Sequence, residues 1–149
     1  MLNFDSNSTG SLLVGYRGLP YLFIFNEKLI LETFIKLPID VDFYDSFNEN
    51  KSYTLNEGKI SVQSGSKQIR SVLTSLILDE QKNIFWHRGS NELFFIDKKD
   101  NYKIKKFILD TPYKSHRYMK LFLVDKYLCV TFSGESDILF FDLNIFYDS

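Results

Sequence analysis

The sequence predicts an all-β fold made of repeated four-stranded antiparallel sheets, and three observations support this prediction. Aromatic residues make up 17% of the 149 residues, and alanine is absent. Aromatic side chains suit the surface of a sheet, whereas alanine is the strongest helix former. The segment 76–97 recurs at 121–142, an offset of 45 residues (121 − 76). A period of about 40 to 45 residues is typical of propeller blades. We therefore predict an incomplete β-propeller of three to four four-stranded antiparallel blades.

The first predicted unit, 1–37, contains another copy of the repeat. Ser11–Asn26 aligns with Lys82–Asp97, and both read as an apolar strand, a glycine-containing turn, a second apolar strand and a final Asn or Asp. Glycine supplies the positive φ that a tight hairpin turn requires. A further strand, Leu29–Leu37, is expected to end before Pro38, because proline closes a strand.

The second predicted unit, 38–72, has room for one short, degraded blade. The alternative is a long insertion in a segment of three blades. The candidate strands of this unit are Asp40–Asp45, Ser52–Leu55, Lys59–Ser64 and Gln68–Val72, with a hairpin turn at 56–58.

The third predicted unit, 73–111, carries the repeat 76–97 and then a strand, Tyr102–Leu109. The polar residues 98–101 between them read as a turn. Together with the first copy, this makes each unit a series of four strands.

The fourth predicted unit, 118–149, carries the copy 121–142, which aligns with 76–97 without a gap. Residues 143–149 are expected to lie in a fourth strand. Closed propellers have roughly four to eight blades, which protects their edge strands. We therefore expect a piece of a larger propeller, a truncated gene product, or half of a ring that another chain completes, rather than a stable isolated monomer.

The turn and strand at 133–142 resemble the WD-repeat family. Family blades end their third strand in Trp-Asp after a turn similar to Ser-Gly-x-x-Asp, and this chain has Ser133-Gly134-Glu135-Ser136-Asp137 followed by a strand that ends in Phe-Asp. Ile or Phe stands at the family's Trp position, and the Gly-His dipeptide is absent. The resemblance implies a non-enzymatic protein-interaction scaffold, part of an intracellular multiprotein complex in the cytoplasm or nucleus.

In WD-repeat-like propellers the loops that join strands two and three, and strand four to the next blade, share one face. Arg, Trp and Tyr are frequent anchors of binding interfaces, and the positive charge near these loops suits an acidic or phosphorylated peptide. His87 aligns with Tyr16 and Phe132, which favours a packed, half-buried structural position over a catalytic one. The predicted partner-binding residues are Tyr16, Arg17, Trp86, His87, Arg88, Tyr113, His116 and Arg117.

Catalytic and metal-binding motifs are not visible. The chain has one cysteine, Cys129, expected in the core, and two histidines, and it lacks a Gly-x-Ser-x-Gly elbow and a phosphate-binding glycine loop. We predict no enzymatic activity, no cofactor and no metal. No apolar run reaches the roughly 18 residues of a membrane span, so no membrane partner is expected.

Two alternatives remain open. The segment 98–120 holds eight lysines and arginines against two aspartates, with interleaved tyrosines, a pattern that suits nucleic acid or phosphate. Lysines on alternating positions of an edge strand are the favoured explanation, so nucleic acid is not the expected partner. The other alternative is an enzymatic or sugar-binding propeller with a central pocket.

Overall fold

The computed structural model describes residues 2–16, 21–37, 51–56, 59–64, 75–88, 92–112 and 119–149. Strands dominate these ranges, and the one helix among them is short. The elements are β1 (Leu2–Ser6), β2 (Leu12–Tyr16), β3 (Tyr21–Phe25), β4 (Leu31–Lys36), β5 (Lys51–Asn56), β6 (Lys59–Ser64), β7 (Ser75–Leu78), β8 (Ile84–Arg88), β9 (Glu92–Asp97), β10 (Lys103–Ile108), β11 (Met119–Val124), β12 (Tyr127–Phe132), β13 (Ile138–Asp142) and α1 (Asn144–Tyr147).

The strands form antiparallel sheets in which each strand pairs with its neighbour in the sequence. We call β1–β4 the first blade, β7–β10 the second blade and β11–β13 the third blade; β5 and β6 form a separate hairpin. Consecutive pairing of this kind is a meander, the arrangement of a propeller blade. The predicted fold class, an incomplete β-propeller of antiparallel blades, is confirmed.

One five-residue turn recurs at 7–11, 26–30 and 79–83, and it explains the Asn or Asp that directly follows β1, β3 and β7. In each turn the first residue donates its backbone N–H to the carbonyl of the fifth residue and accepts from the N–H of the fourth. The side-chain oxygens of Asn26 and Asp79 also accept the backbone N–H groups two and four residues further on, at 2.8–3.0 Å. Asn and Asp favour such turns because their side chains satisfy nearby backbone donors.

The three blades stack face to face around two apolar cores. The first core lies between the first and second blades and includes Leu13, Ile24 and Trp86. The second core lies between the second and third blades and includes Phe85 and Val130. Both faces of the second blade are therefore covered along β7, β8 and β9, and apolar residues run continuously through the middle of β9, as expected of a sheet covered on both sides.

The direct packing of the first blade on the second bears on the predicted unit 38–72. No sheet lies between these blades, because residues of β2 and β3 share one core with residues of β7 and β8. The described part of the unit is the hairpin β5–β6, and the predicted strands Asp40–Asp45 and Gln68–Val72 lie outside the described residues. This arrangement fits the insertion alternative, and the boundaries of the four units stay predictions.

The end of the chain differs from the predicted fourth strand. Residues 144–147 form α1, and Phe146 is buried against the rings of Phe85 at 5.3 Å and Phe107 at 5.0 Å between centroids. Leu143 is also buried. A spacing of three residues brings both side chains to one side of a helical turn, whereas in a strand they would point to opposite faces.

The gapless alignment of the two main copies is wrong on the middle strand. Leu78 pairs with Ile84 across a five-residue turn, but Leu123 pairs with Leu128 across four residues. The shorter turn moves β12 by one position, so that Cys129 corresponds to Phe85 rather than to Ile84. Cys129 is buried in either case, as predicted, and burial raises the pKa of its thiol.

Candidate functional site

Two of the predicted partner-binding residues are buried inside the stack. Trp86 stacks on Phe94 with 4.5 Å between ring centroids, in the core between the first and second blades. His87, beside it on β8, is fully enclosed as well. The predicted contact of these two side chains with a partner does not fit their burial, because apolar residues pack on both sides of β8 and its described side chains, 84–87, are buried.

The other predicted contact residues lie at strand ends or outside the described residues. Tyr16 is the last residue of β2 and pairs with Leu2, and Arg88 is the last residue of β8 and pairs with Glu92. The two therefore occupy equivalent ends of equivalent strands. Four more predicted residues fall outside the described ranges: Arg17, Tyr113, His116 and Arg117. The role of these six in partner binding stays a prediction.

The lysines of β10 form ion pairs with carboxylates. Lys105 Nζ lies 3.2 Å from Asp97 and also donates to the backbone oxygen of Ser149 at 2.6 Å, while Lys106 pairs with Glu92. Lys103 lies 3.4 Å from Asp100. The strand is the outer edge of the second blade. Ion pairing neutralises these lysines locally, which weakens the case for a phosphate-binding stripe along 98–120.

A cleft opens where the first strands of the three blades come together. The N–H of Leu78 donates to Asp5 Oδ2 at 2.7 Å, which joins β7 to β1, and the N–H of Leu121 donates to Ser75 Oγ at 3.1 Å, which joins β11 to β7. The cleft has a volume of about 580 Å³ at the carboxyl ends of these strands. It is lined by Asp5, Ser6, Leu76, Ile77, Leu78, Asp79, Glu80, Gln81, Leu121, Phe122, Leu123, Asp125, Leu143 and Tyr147.

The charged residues that line the cleft are acidic. Asp5, Asp79, Glu80 and Asp125 contribute carboxylates from all three blades, and the described lining includes no lysine, arginine or histidine. Glu80 accepts hydrogen bonds from the hydroxyl and the N–H of Ser8, which lower the pKa of its carboxyl. A concave surface lined by one sign of charge attracts the opposite sign.

The buried Asp79 and the half-buried Tyr147 form a hydrogen-bonded pair at the edge of the cleft. Tyr147 Oη donates to Asp79 Oδ2 at 2.7 Å, and the same carboxylate accepts from Asn83 Nδ2 at 3.0 Å. Burial first, and then the hydrogen bond to Asp79, raises the pKa of Tyr147 far above its ordinary value. Tyr147 therefore keeps its proton and acts as a donor rather than as a base.

Sequence reasoning missed this cleft. Its acids come from three distant segments of the chain, which meet because the inner strands β1, β7 and β11, the first strand of each blade, lie side by side. A signal was present, since Asp79 and Asp125 each follow directly after an inner strand. Residues that follow equivalent strands are expected at one end of a propeller.

The chain is similar to solved structures of lyases. No family model and no curated protein matches it. A streptogramin B lyase is 10% identical, with a TM-score of 0.41, over 95% of this chain and 51% of its own. A virginiamycin B lyase from Staphylococcus aureus, and a catalytically inactive form of it with quinupristin, are each 14% identical. Their TM-scores are 0.32, over 93% of this chain and 54% of theirs. The chain spans about half the length of these solved structures.

These comparisons correct the predicted function. The similar solved structures are lyases, and the predicted non-enzymatic interaction scaffold is not supported by these comparisons. The WD-repeat resemblance is not confirmed beyond the β-propeller-like fold. The lyase activity is that of those proteins. In the part of the chain that the structure describes, no helix is long and apolar enough to cross a membrane.

Proposed function

We propose that the chain binds a small organic cation in the acidic cleft at the carboxyl ends of β1, β7 and β11. The observation that carries this proposal is the set of four carboxylates around one cleft of about 580 Å³. Sites for small molecules usually enclose about 300 to 1,000 Å³. The cleft therefore has the size and the charge for such a ligand.

An organic cation suits the lining better than a metal ion does. Leu76, Leu121 and Leu123 line the cleft beside the carboxylates. Hard metal ions take six to eight oxygen ligands at short range, and the described residues include no group of three or more metal-ligating side chains placed to hold one. An amine or guanidinium on a short alkyl chain would contact both the acids and the leucines.

Calorimetric titration with agmatine at low ionic strength tests the proposal. Removing one carboxylate, as in Asp125→Asn or Asp5→Asn, should weaken binding about five- to tenfold, since one ion pair near a surface contributes about 1 kcal/mol. Asp110→Asn removes an exposed carboxylate outside the cleft lining and should leave the affinity unchanged.

The ligand class is tested with a neutral sugar. Glucose should not bind, and raising the salt concentration to about 0.15 M should weaken agmatine binding because the cleft is open to solvent. Binding of glucose but not of agmatine would contradict a cationic ligand and favour a sugar site. An equal affinity of wild type and Asp125→Asn for agmatine would show that agmatine does not bind in the cleft.

A further inference from the structure

The first blade presents an apolar face away from the second blade. We call the side of a blade toward the preceding blade its back face and the side toward the following blade its front face. Phe4, Val14, Phe23 and Phe34 are paired side by side across the four strands and lie on the back face. Phe4 is 72% exposed and Phe34 is 60% exposed.

The third blade presents an apolar face at the other end of the stack. Phe122, Cys129 and Phe140 are paired across its strands and lie on the front face. Phe140 is 59% exposed, and Ile138, on the same face, is also exposed. Tyr127 packs edge-on against Phe140, with 6.1 Å between centroids. Exposed apolar patches of this kind mark contact surfaces.

These two open faces correspond to faces that already pack against each other inside the chain. The row on the front face of the third blade has the same strand positions as Ile77, Phe85 and Phe95 of the second blade. That second row is buried against the third blade.

The same comparison holds for the other end of the stack. The row on the back face of the first blade matches Leu76, Trp86 and Phe94, which are buried against the first blade. The two end faces are thus a front face and a back face that no other described blade covers, and each is built like its buried counterpart.

We propose that two copies of this chain close into one ring, with the front face of each third blade on the back face of the partner's first blade. Two sets of the three described blades give six, which is within the roughly four to eight blades of closed propellers. We infer a second copy as the binding partner because its front-to-back contact would repeat the contact that is already present twice within the chain. Closure also removes both exposed apolar faces from water.

Sedimentation equilibrium of the purified chain measures the predicted pair. Wild type should behave as one species at twice the 17.6 kDa mass of the chain. Phe34→Glu and Phe140→Glu should each convert it to monomers, because a carboxylate placed in an apolar contact weakens association about a hundredfold or more. Ile108→Glu changes a residue of the second blade that is 61% exposed and should keep the pair. Circular dichroism establishes that each variant is folded.

Mixing the two variants identifies the faces. Phe34→Glu keeps an intact front face and Phe140→Glu keeps an intact back face, so an equimolar mixture should recover a two-copy species through one intact contact. A contact between two identical faces gives a different pattern, since only one of the two variants would then dissociate.

Several outcomes would overturn the ring. A monomeric wild type would show that the end faces do not bind a second copy, and open-ended polymers would show that the contact does not close. A pair that survives both Phe34→Glu and Phe140→Glu would place the contact elsewhere.

Discussion

Backbone conformation at single residues sets the geometry of the repeated turn. The fourth residue of each copy has a positive φ: Gly10 at 82°, Leu29 at 59° and Lys82 at 64°. A side chain in this conformation costs about 1–2 kcal/mol, because Cβ approaches the carbonyl oxygen. Only the first copy of the turn has glycine, the residue that this conformation favours, at its fourth position.

Leu29→Gly should therefore stabilise the protein by about 1 kcal/mol in a urea titration. Leu29 is exposed, so its side chain contributes little packing. Gly10→Ala is the matched opposite change. Its Cβ would meet Glu27 Cβ at 3.0 Å in a left-handed backbone, and the variant should lose at least about 1 kcal/mol. Equal stability of both variants and wild type would contradict this account of the turn.

The Tyr147–Asp79 hydrogen bond predicts a loss of stability at alkaline pH. The folded pKa of Tyr147 lies above the unfolded value near 10.0, so the folded state holds the proton more tightly. Its contribution to stability is complete below pH 10 and falls as the pH rises above it. Tyr147→Phe should be about 1 kcal/mol less stable at pH 8.

The measurement is the free energy of unfolding at pH 8 and at pH 11 for both proteins. Wild type should lose more stability between the two than Tyr147→Phe does. Burial raises the pKa of Tyr102 as well, and the difference between the two proteins isolates Tyr147. Equal alkaline losses would exclude the hydrogen bond as a contributor.

Among the elements, α1 shows how packing decides a conformation that propensity leaves open. A helix of four residues is too short to form by itself in water. Phe146 holds it in place, since its ring is buried against Phe85, Phe95 and Phe107. A short apolar run cannot be assigned to strand or helix from its pattern alone, so the sequence could not exclude a fourth strand here.

Phe146→Ala should cost about 3–5 kcal/mol, the usual range for removing a large buried aromatic side chain. Ile145→Ala, in the same helix turn, removes an exposed side chain and should change the free energy of unfolding by less than about 0.5 kcal/mol. Urea titrations followed by circular dichroism compare the two. Similar effects of both changes would mean that α1 does not hold the second core.

The repeat predicted the blades because strand order, turn residues and apolar alternation are all local properties of the sequence. Turn length is equally local, yet one residue fewer between Leu123 and Leu128 moved β12 by one position. The cleft depends on which strands lie side by side in the folded chain, and a local sequence pattern does not predict this. Trp86 shows the same limit. Tryptophan is frequent at binding interfaces, but the packing of the first blade on the second buries this side chain.

At the scale of the whole molecule, the second blade couples both cores. Trp86, the single tryptophan, lies in the first core, and Phe146 lies in the second. Stacked repeats that share faces unfold together when the contacts between them are strong. Tryptophan fluorescence and far-ultraviolet circular dichroism should therefore give coincident urea transitions at one protein concentration. Phe146→Ala should move both transitions equally, although Phe146 belongs to the other core. A fluorescence transition that stays at its wild-type midpoint would show that the blades unfold one by one.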